Sequence, residues 1–237
     1  VSAEVNNSID EYGEISIKTE DTGKIFEMAI CMFYDIEYSG NFKYSLDEAS
    51  KVRDMLKPLK ELFPICRHTA NRNGRYDFTA IEDSDLHLSA KTTKGNGKIA
   101  PPIVGQCQPE KFCEILGIEY TNRDNLKRYI QNNIVKIIPI IYEYTLDCAT
   151  IYYNKKTDKI KYIIADKNIE WDKYKYNWTR ESNEWNNSST VKIEINNKKY
   201  SLLEFQFHSK SRTNMVIRWD FENLLNIFKG YLFIIEF

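Results

Sequence analysis

The sequence predicts an α/β fold, a mixed sheet flanked by helices and followed by a β-rich C-terminal lobe. Three observations lead there. Apolar residues near the N-terminus recur at spacings of three and four, alternating runs separated by a polar turn follow, and from Cys148 onward the chain is dominated by short paired strand-like runs.

Residues 1–22 are polar and weakly periodic and read as an arm or a short strand. Ile25, Met28, Ala29, Met32, Phe33 and Ile36 then form one apolar helical face. Ser45 and Glu48 have capping-box spacing and open a second helix that ends before Pro58. Arg75 to Glu82 and Leu86 to Thr92 read as strands joined by Asp83-Ser84-Asp85, a polar turn suited to a hairpin. After a Gly- and Pro-rich loop, Pro109 starts a short helix and Gly117 ends it. A further helix covers about Asp124 to Asn132. Ile134 to Tyr144 reads as a long buried strand, with Pro139 marking a bulge.

Beyond Cys148, Thr150–Tyr153 and Ile160–Ala165 flank Lys156-Thr157-Asp158, and Val191–Ile195 and Tyr200–Phe207 flank Asn196-Asn197. Residues 166–190 read as a polar loop carrying Trp171, Trp178 and Trp185. A strand near Met215–Trp219, a helix over Phe221–Phe228 and a strand at Tyr231–Ile235 follow. The resulting division is an arm (1–22), an α/β core (23–145) and a β-rich lobe (146–237), the latter two either separate or continuous.

The 237 residues, 42% of them hydrophobic, suffice for a full core. A net charge of -1 excludes a chain that coats polyanions with its whole surface, so any such contact must be local. Five cysteines without a CxxC pair suggest neither a disulfide framework nor a zinc ribbon and fit a reducing cytoplasm. No apolar run approaches the length of a membrane span, and no signal-peptide pattern opens the chain; its first residue is Val1 rather than Met, as if a preceding piece were missing. Cys66 and His68 are too few for a zinc site and read as packing or surface residues, and His87 and His208 are too scattered to complete a triad.

Chemistry concentrates in Gly74–Ile81 and Leu86–Thr92. In a hairpin of these strands, Asp77 near the start of the first and Lys91 near the end of the second lie at one end of the sheet. A carboxylate and an ammonium there provide a hard-cation ligand and a charge that orients water or stabilises an anion. The same spacing describes an exposed hairpin with a surface salt bridge.

These residues resemble the PD-(D/E)XK nuclease core, in which an Asp begins one strand, an acidic-x-Lys ends the next, and a preceding helix often supplies a Glu, here Glu27. Ser89–Thr93 with Lys98–Gln106, and Leu203–His208 with Arg212, Asn214, Arg218 and Trp219, resemble segments of a subset of type II restriction enzymes. One position departs from the pattern: Ser89 stands where the second acid is expected. Some restriction enzymes resemble this Ser-x-Lys arrangement with the acid moved to the following helix, which makes Glu110 the first candidate, Glu114 the second, and Gln106 or Gln108 alternative neutral ligands.

The resemblance implies a Mg²⁺-dependent, sequence-specific double-stranded DNA endonuclease. Asp77, Glu110 and the backbone carbonyl of Ala90 would be metal ligands, and Asp77, Lys91, Glu27 and Glu110 the catalytic group. Lys94, Gln106, His208, Lys210, Arg212, Asn214 and Arg218 would contact DNA, being residue types that suit base edges or phosphates; a solvated loop is the plain alternative for 208–214. The tryptophan-bearing loop would either wrap DNA or cover the sheet. A homodimer is implied by the need to cut two strands, and a cognate DNA methyltransferase would be a genetic partner. The alternatives are an inactive DNA-binding module, favoured by Ser89, and a structure-specific repair nuclease.

Overall fold

The computed structural model describes residues 19–70, 75–95, 97–207 and 213–237. The chain runs α1 (Thr19–Tyr34), α2 (Leu46–Met55), α3 (Leu59–Leu62), β1 (Cys66–His68), β2 (Phe78–Ala80), β3 (His87–Thr93), β4 (Lys98–Ile99) and β5 (Gln106–Cys107). It continues through α4 (Pro109–Leu116), α5 (Arg123–Asn132), α6 (Ile134–Leu146), β6 (Ala149–Asn154), β7 (Lys159–Ala165) and β8 (Lys175–Trp178). The last elements are β9 (Ser188–Ile195), β10 (Lys198–Phe207), β11 (Met215–Asp220), α7 (Phe221–Ile227) and β12 (Leu232–Glu236). Of the arm expected over 1–22, residues 1–18 lie outside the described residues, and α1 already begins at Thr19.

Two sheets form. The first has the order β1-β2-β3-β6-β7-β12, antiparallel except where β3 and β6 run parallel, with Leu88 opposite Ala149 and Lys91 opposite Tyr152. A parallel pair needs a crossover, and the chain from β4 to α6 supplies it. The second sheet has the order β4-β11-β10-β9-β8, with β5 also paired to β11. Sheet membership crosses position 145 in both directions: β6, β7 and β12 complete the first sheet, while β4 and β5 join the second.

The segment expected to be a buried strand, 134–144, is helix α6. Its buried residues Ile134, Ile137, Ile138, Ile141 and Thr145 follow helical spacing, whereas Val135 and Lys136 are exposed. The β-branched composition favours a strand locally, but burial of one helical stripe outweighs both that preference and the bond lost at Pro139. The 166–190 segment, read as a polar loop, is strand in part. It contributes β8, and Trp171 and Trp185 are buried against Phe228, Phe205 and Phe207. Trp178, partly buried, packs tilted against Trp185 with ring centroids 5.5 Å apart. These rings are core, and their polar sequence neighbours occupy the turns.

Two apolar clusters hold the layers. One lies between α1, α2 and the face of the first sheet carrying Phe78, Leu88 and Ile151. The other joins the opposite face, through Tyr152 and Ile163, to α4–α7 and the second sheet. Local signals fix several ends. The Ser45 hydroxyl accepts the Asp47 amide at 3.2 Å at the start of α2, and Gly117 closes α4 at φ 68°. Asn196 and Asn197, at φ 49° and 61°, make the β9–β10 turn of the primed type that strand twist favours. Among the described residues no helix is long and apolar enough to cross a membrane.

Candidate active site

The ladder between β2 and β3 pairs Phe78 with Leu88 and Thr79 with His87, and there it stops. Asp77, one residue before β2, takes over with its side chain: Oδ2 accepts the Ala90 N–H at 2.7 Å. An extended residue's N–H and C=O point to the same side, so the Ala90 carbonyl faces the edge that Asp77 occupies. Lys91 Nζ lies 3.9 Å from Asp77 Oδ2. Both side chains are mostly shielded, at 15% and 20% exposure, without being sealed from water.

The approach to Asp77 is braced on every side. Its carbonyl accepts the Thr69 N–H at 2.8 Å, which ties it to the end of β1. Tyr76 stacks on His87 with centroids 3.9 Å apart, and its hydroxyl donates to Asp147 at 2.6 Å. Arg75 pairs with Asp147 at 2.9 Å and lies over the Tyr144 ring. The end of α6 therefore holds the strand that presents Asp77.

Glu27 reaches the same end of the sheet from α1. Its Oε2 is 3.0 Å from Nε2 of His68, the last residue of β1. Tyr38 stacks on that imidazole, and burial first, then the charges of Glu27 and Asp77 among others, push its phenol up to about 12. One phenol thus senses both carboxylates. On the other side, Cys148 is raised to about 11, chiefly by burial, within the fields of Asp147, Lys91 and Asp77. Its thiol lies 3.7 Å from the hydroxyl of Ser89, which is buried.

Asp77, Lys91 and Ala90 are therefore brought together, with Glu27 alongside. Glu110 sits in the first turn of α4, exposed, where its charge helps raise Cys113 and Tyr120. Among the described residues, no group of three or more His, Cys, Asp or Glu side chains is placed to hold a metal by itself. Asp77 and the Ala90 carbonyl nevertheless suit Mg²⁺, which takes one or two protein oxygens and fills its octahedron with water and phosphate.

Of the residues expected to contact DNA, His208, Lys210 and Arg212 lie outside the described residues. Gln106 is exposed on β5 opposite Val216, and Asn214 precedes β11 beside Thr213, whose hydroxyl accepts the Gln108 amide at 2.8 Å. Lys94 is exposed just after β3. Arg218 is engaged within the protein, 3.0 Å from Glu204. His68, read as a packing or surface residue, is buried between rings, but its bond to Glu27 was not read, because the two are 41 positions apart and no local pattern links them.

No family model matches the chain, and no solved structure does. Among curated proteins, the type II restriction enzyme CviAII of Paramecium bursaria Chlorella virus 1 is 37% identical over 214 residues, which cover 89% of this chain and 60% of that protein. The chain thus spans about 60% of the length of the relative it matches. The similarity is to a type II restriction enzyme, the class that residues 89–106 and 203–219 resemble.

Proposed function

We propose that the chain is a Mg²⁺-dependent, sequence-specific endonuclease of double-stranded DNA, a type II restriction enzyme with a PD-(D/E)XK-like core. The observation that carries this reading is the meeting of Asp77, Lys91 and Ala90 where the β2–β3 ladder ends, in a chain 37% identical to a type II restriction enzyme over 89% of its length.

Asp77 and the Ala90 carbonyl would hold the ion, and Glu110 would be the migrated acid. Bound Mg²⁺ supplies Lewis-acid polarisation of the scissile phosphate and a more acidic water. Lys91 places a positive charge beside the attacking oxygen and the pentacovalent phosphate, where negative charge grows in the transition state. Asp77 keeps that ammonium close, and Ala90 N–H keeps Asp77 from rotating away. Glu27 acts at one remove, through a water. In this reading the end of the first sheet cuts, while His208, Lys210, Arg212, Gln106 and Asn214 read bases. Lys94 supplies a phosphate contact, and Arg218 joins only on leaving Glu204. Two such sites related by a two-fold axis, in a C₂ homodimer, would cut both strands; light scattering with cognate duplex tests that number.

Incubation with long duplex DNA and Mg²⁺ tests the whole. Discrete fragments are expected. No cutting would instead favour an inactive DNA-binding module, the reading that the buried Ser89 keeps in play, and structure-dependent nicking would favour a repair nuclease.

A further inference from the structure

We infer that His68 is a positioning residue that fixes the Glu27 carboxylate beside the Asp77–Lys91 edge; the inference rests on the nuclease reading. The imidazole is 1% exposed, sandwiched between Tyr38, with ring centroids 4.5 Å apart, and Phe78 at 5.0 Å. Both nitrogens are committed. Nδ1 accepts the backbone N–H of Ser39 at 2.8 Å, so Nδ1 presents a lone pair and the proton resides on Nε2. Nε2–H then donates to Glu27 Oε2 at 3.0 Å.

This arrangement sets the direction of the bond as well as its existence. A histidine whose tautomer is fixed by a backbone amide can only donate through Nε2, and the acceptor it meets is a carboxylate on a different element. Glu27 is 18% exposed at its side chain, open enough that a free glutamate would spread over several rotamers. The bond to His68 removes that freedom while occupying one oxygen. The anchor is coupled to the cutting strand as well. His68 pairs with Phe78, the residue after Asp77, and Thr69, the next residue along, donates its N–H to the Asp77 carbonyl. Supporting partners of this kind orient a site and typically change metal affinity or activity by about 10–100-fold when removed.

The test compares His68→Leu, which deletes both hydrogen bonds, with His68→Gln, whose amide nitrogen can stand in for Nε2–H. Each is made in the parent and in Glu27→Ala, with Mn²⁺ affinity read by electron paramagnetic resonance, the Mg²⁺ midpoint of cleavage by titration, and folding by thermal melting. His68→Leu should weaken Mn²⁺ binding and raise the Mg²⁺ midpoint about tenfold, His68→Gln should recover most of the loss, and His68→Leu should add no further loss once Glu27 is gone. A folded His68→Leu protein with parental metal dependence overturns the proposal. So does an equal loss with and without Glu27, which marks a structural role alone. Should His68→Leu fail to fold, His68→Gln in both backgrounds carries the comparison, and a Gln variant as impaired as Glu27→Ala counts against the inference. Asp77→Ala separates the two readings: if it cuts as well as the parent, the nuclease reading fails, whereas if it is inactive while His68→Leu is unaffected, only the role of His68 fails.

Discussion

In the first sheet Lys91 stands 3.9 Å from Asp77, whereas in the second Glu204 lies 2.7 Å from Lys98 and 3.0 Å from Arg218. Both clusters sit at strand pairs and both are largely shielded from water, yet they use charge in opposite ways. Glu204 bridges two cations and also accepts the Gln206 amide at 3.0 Å, so its carboxylate is spent on holding β4, β10 and β11 together. Asp77 is held by a backbone N–H at its strand end and keeps Lys91 at the outer limit of an ion pair. The second arrangement stabilises a sheet, and the first leaves both charged groups able to take a third partner.

The sharpest way to break the comparison is to remove each charge in turn. Asp77→Ala and Lys91→Ala should each lower single-turnover DNA cleavage by on the order of 10²–10³-fold or more while specific DNA binding survives. Cleavage retained by either variant would show that the loose pair is not catalytic. Glu110→Gln should lose more activity than Ser89→Ala if the acid has moved to α4; equal activities would remove Glu110 from the site. Glu204→Ala should act on the fold instead, costing about 1–3 kcal/mol in urea denaturation, because it leaves Lys98, Arg218 and Gln206 without their shared acceptor.

Acid should expose the same contrast more gently. Burial alone would raise the Glu204 carboxyl, but the hydrogen bonds from Lys98 and Gln206 and the Lys98 and Arg218 charges outweigh it and hold it below its ordinary value. Glu222 is lowered in the same way, burial being outweighed by Lys161, Asn154 and Tyr152. A depressed carboxyl contributes stability above its unfolded-state value, and that contribution is lost as pH falls through the folded-state value. Asp220, raised chiefly by burial, has the opposite sign and offsets part of the loss. Urea midpoints taken between about pH 5 and about pH 3 should therefore fall less steeply in Glu204→Gln than in the parent. Identical slopes would mean that the Glu204 cluster is not what the acid limb reports.

How much of this was legible in the sequence follows from the range over which each feature is decided. The β2–β3 hairpin, the α4 boundaries and the Asn196-Asn197 turn are set by a few adjacent residues, and each was readable. Helix α6 was not, because β-branched residues and Pro139 argue locally for a strand while its burial stripe is settled by tertiary packing against two sheets. The tryptophans at 171, 178 and 185 looked like a polar loop because their neighbours are polar, and only the second sheet shows what they cover. Within the site, Asp77 and Lys91 came from one hairpin, a stretch of 15 residues that carries both. The Glu27–His68–Ser39 relay joins a helix, a strand and a connecting segment, and spacing encodes none of it.

The smallest expected effect lies between β4 and β5, at the edge of the second sheet. Val104 is fully buried there, the Gly105 N–H donates to the Pro101 carbonyl at 3.0 Å, and a side chain at Gly105 would collide with that same carbonyl. This tight turn leaves Ile103 at φ 64°, a left-handed conformation that β-branched residues rarely adopt, with 42% of its surface exposed. At Asn196 and Asn197 the same backbone region is filled by the residue type that tolerates it. Replacing Ile103 with Gly relieves a left-handed penalty of roughly 1–2 kcal/mol, forfeits about 1–1.5 kcal/mol from a side chain a little over half buried, and adds unfolded-chain entropy worth about 0.5–1 kcal/mol. These nearly cancel, so the urea midpoint should move by no more than the equivalent of about 1 kcal/mol at unchanged slope. A clearly larger loss of stability would mean that the Ile103 side chain makes a contact strong enough to hold the turn, and that this edge of the second sheet is built around it.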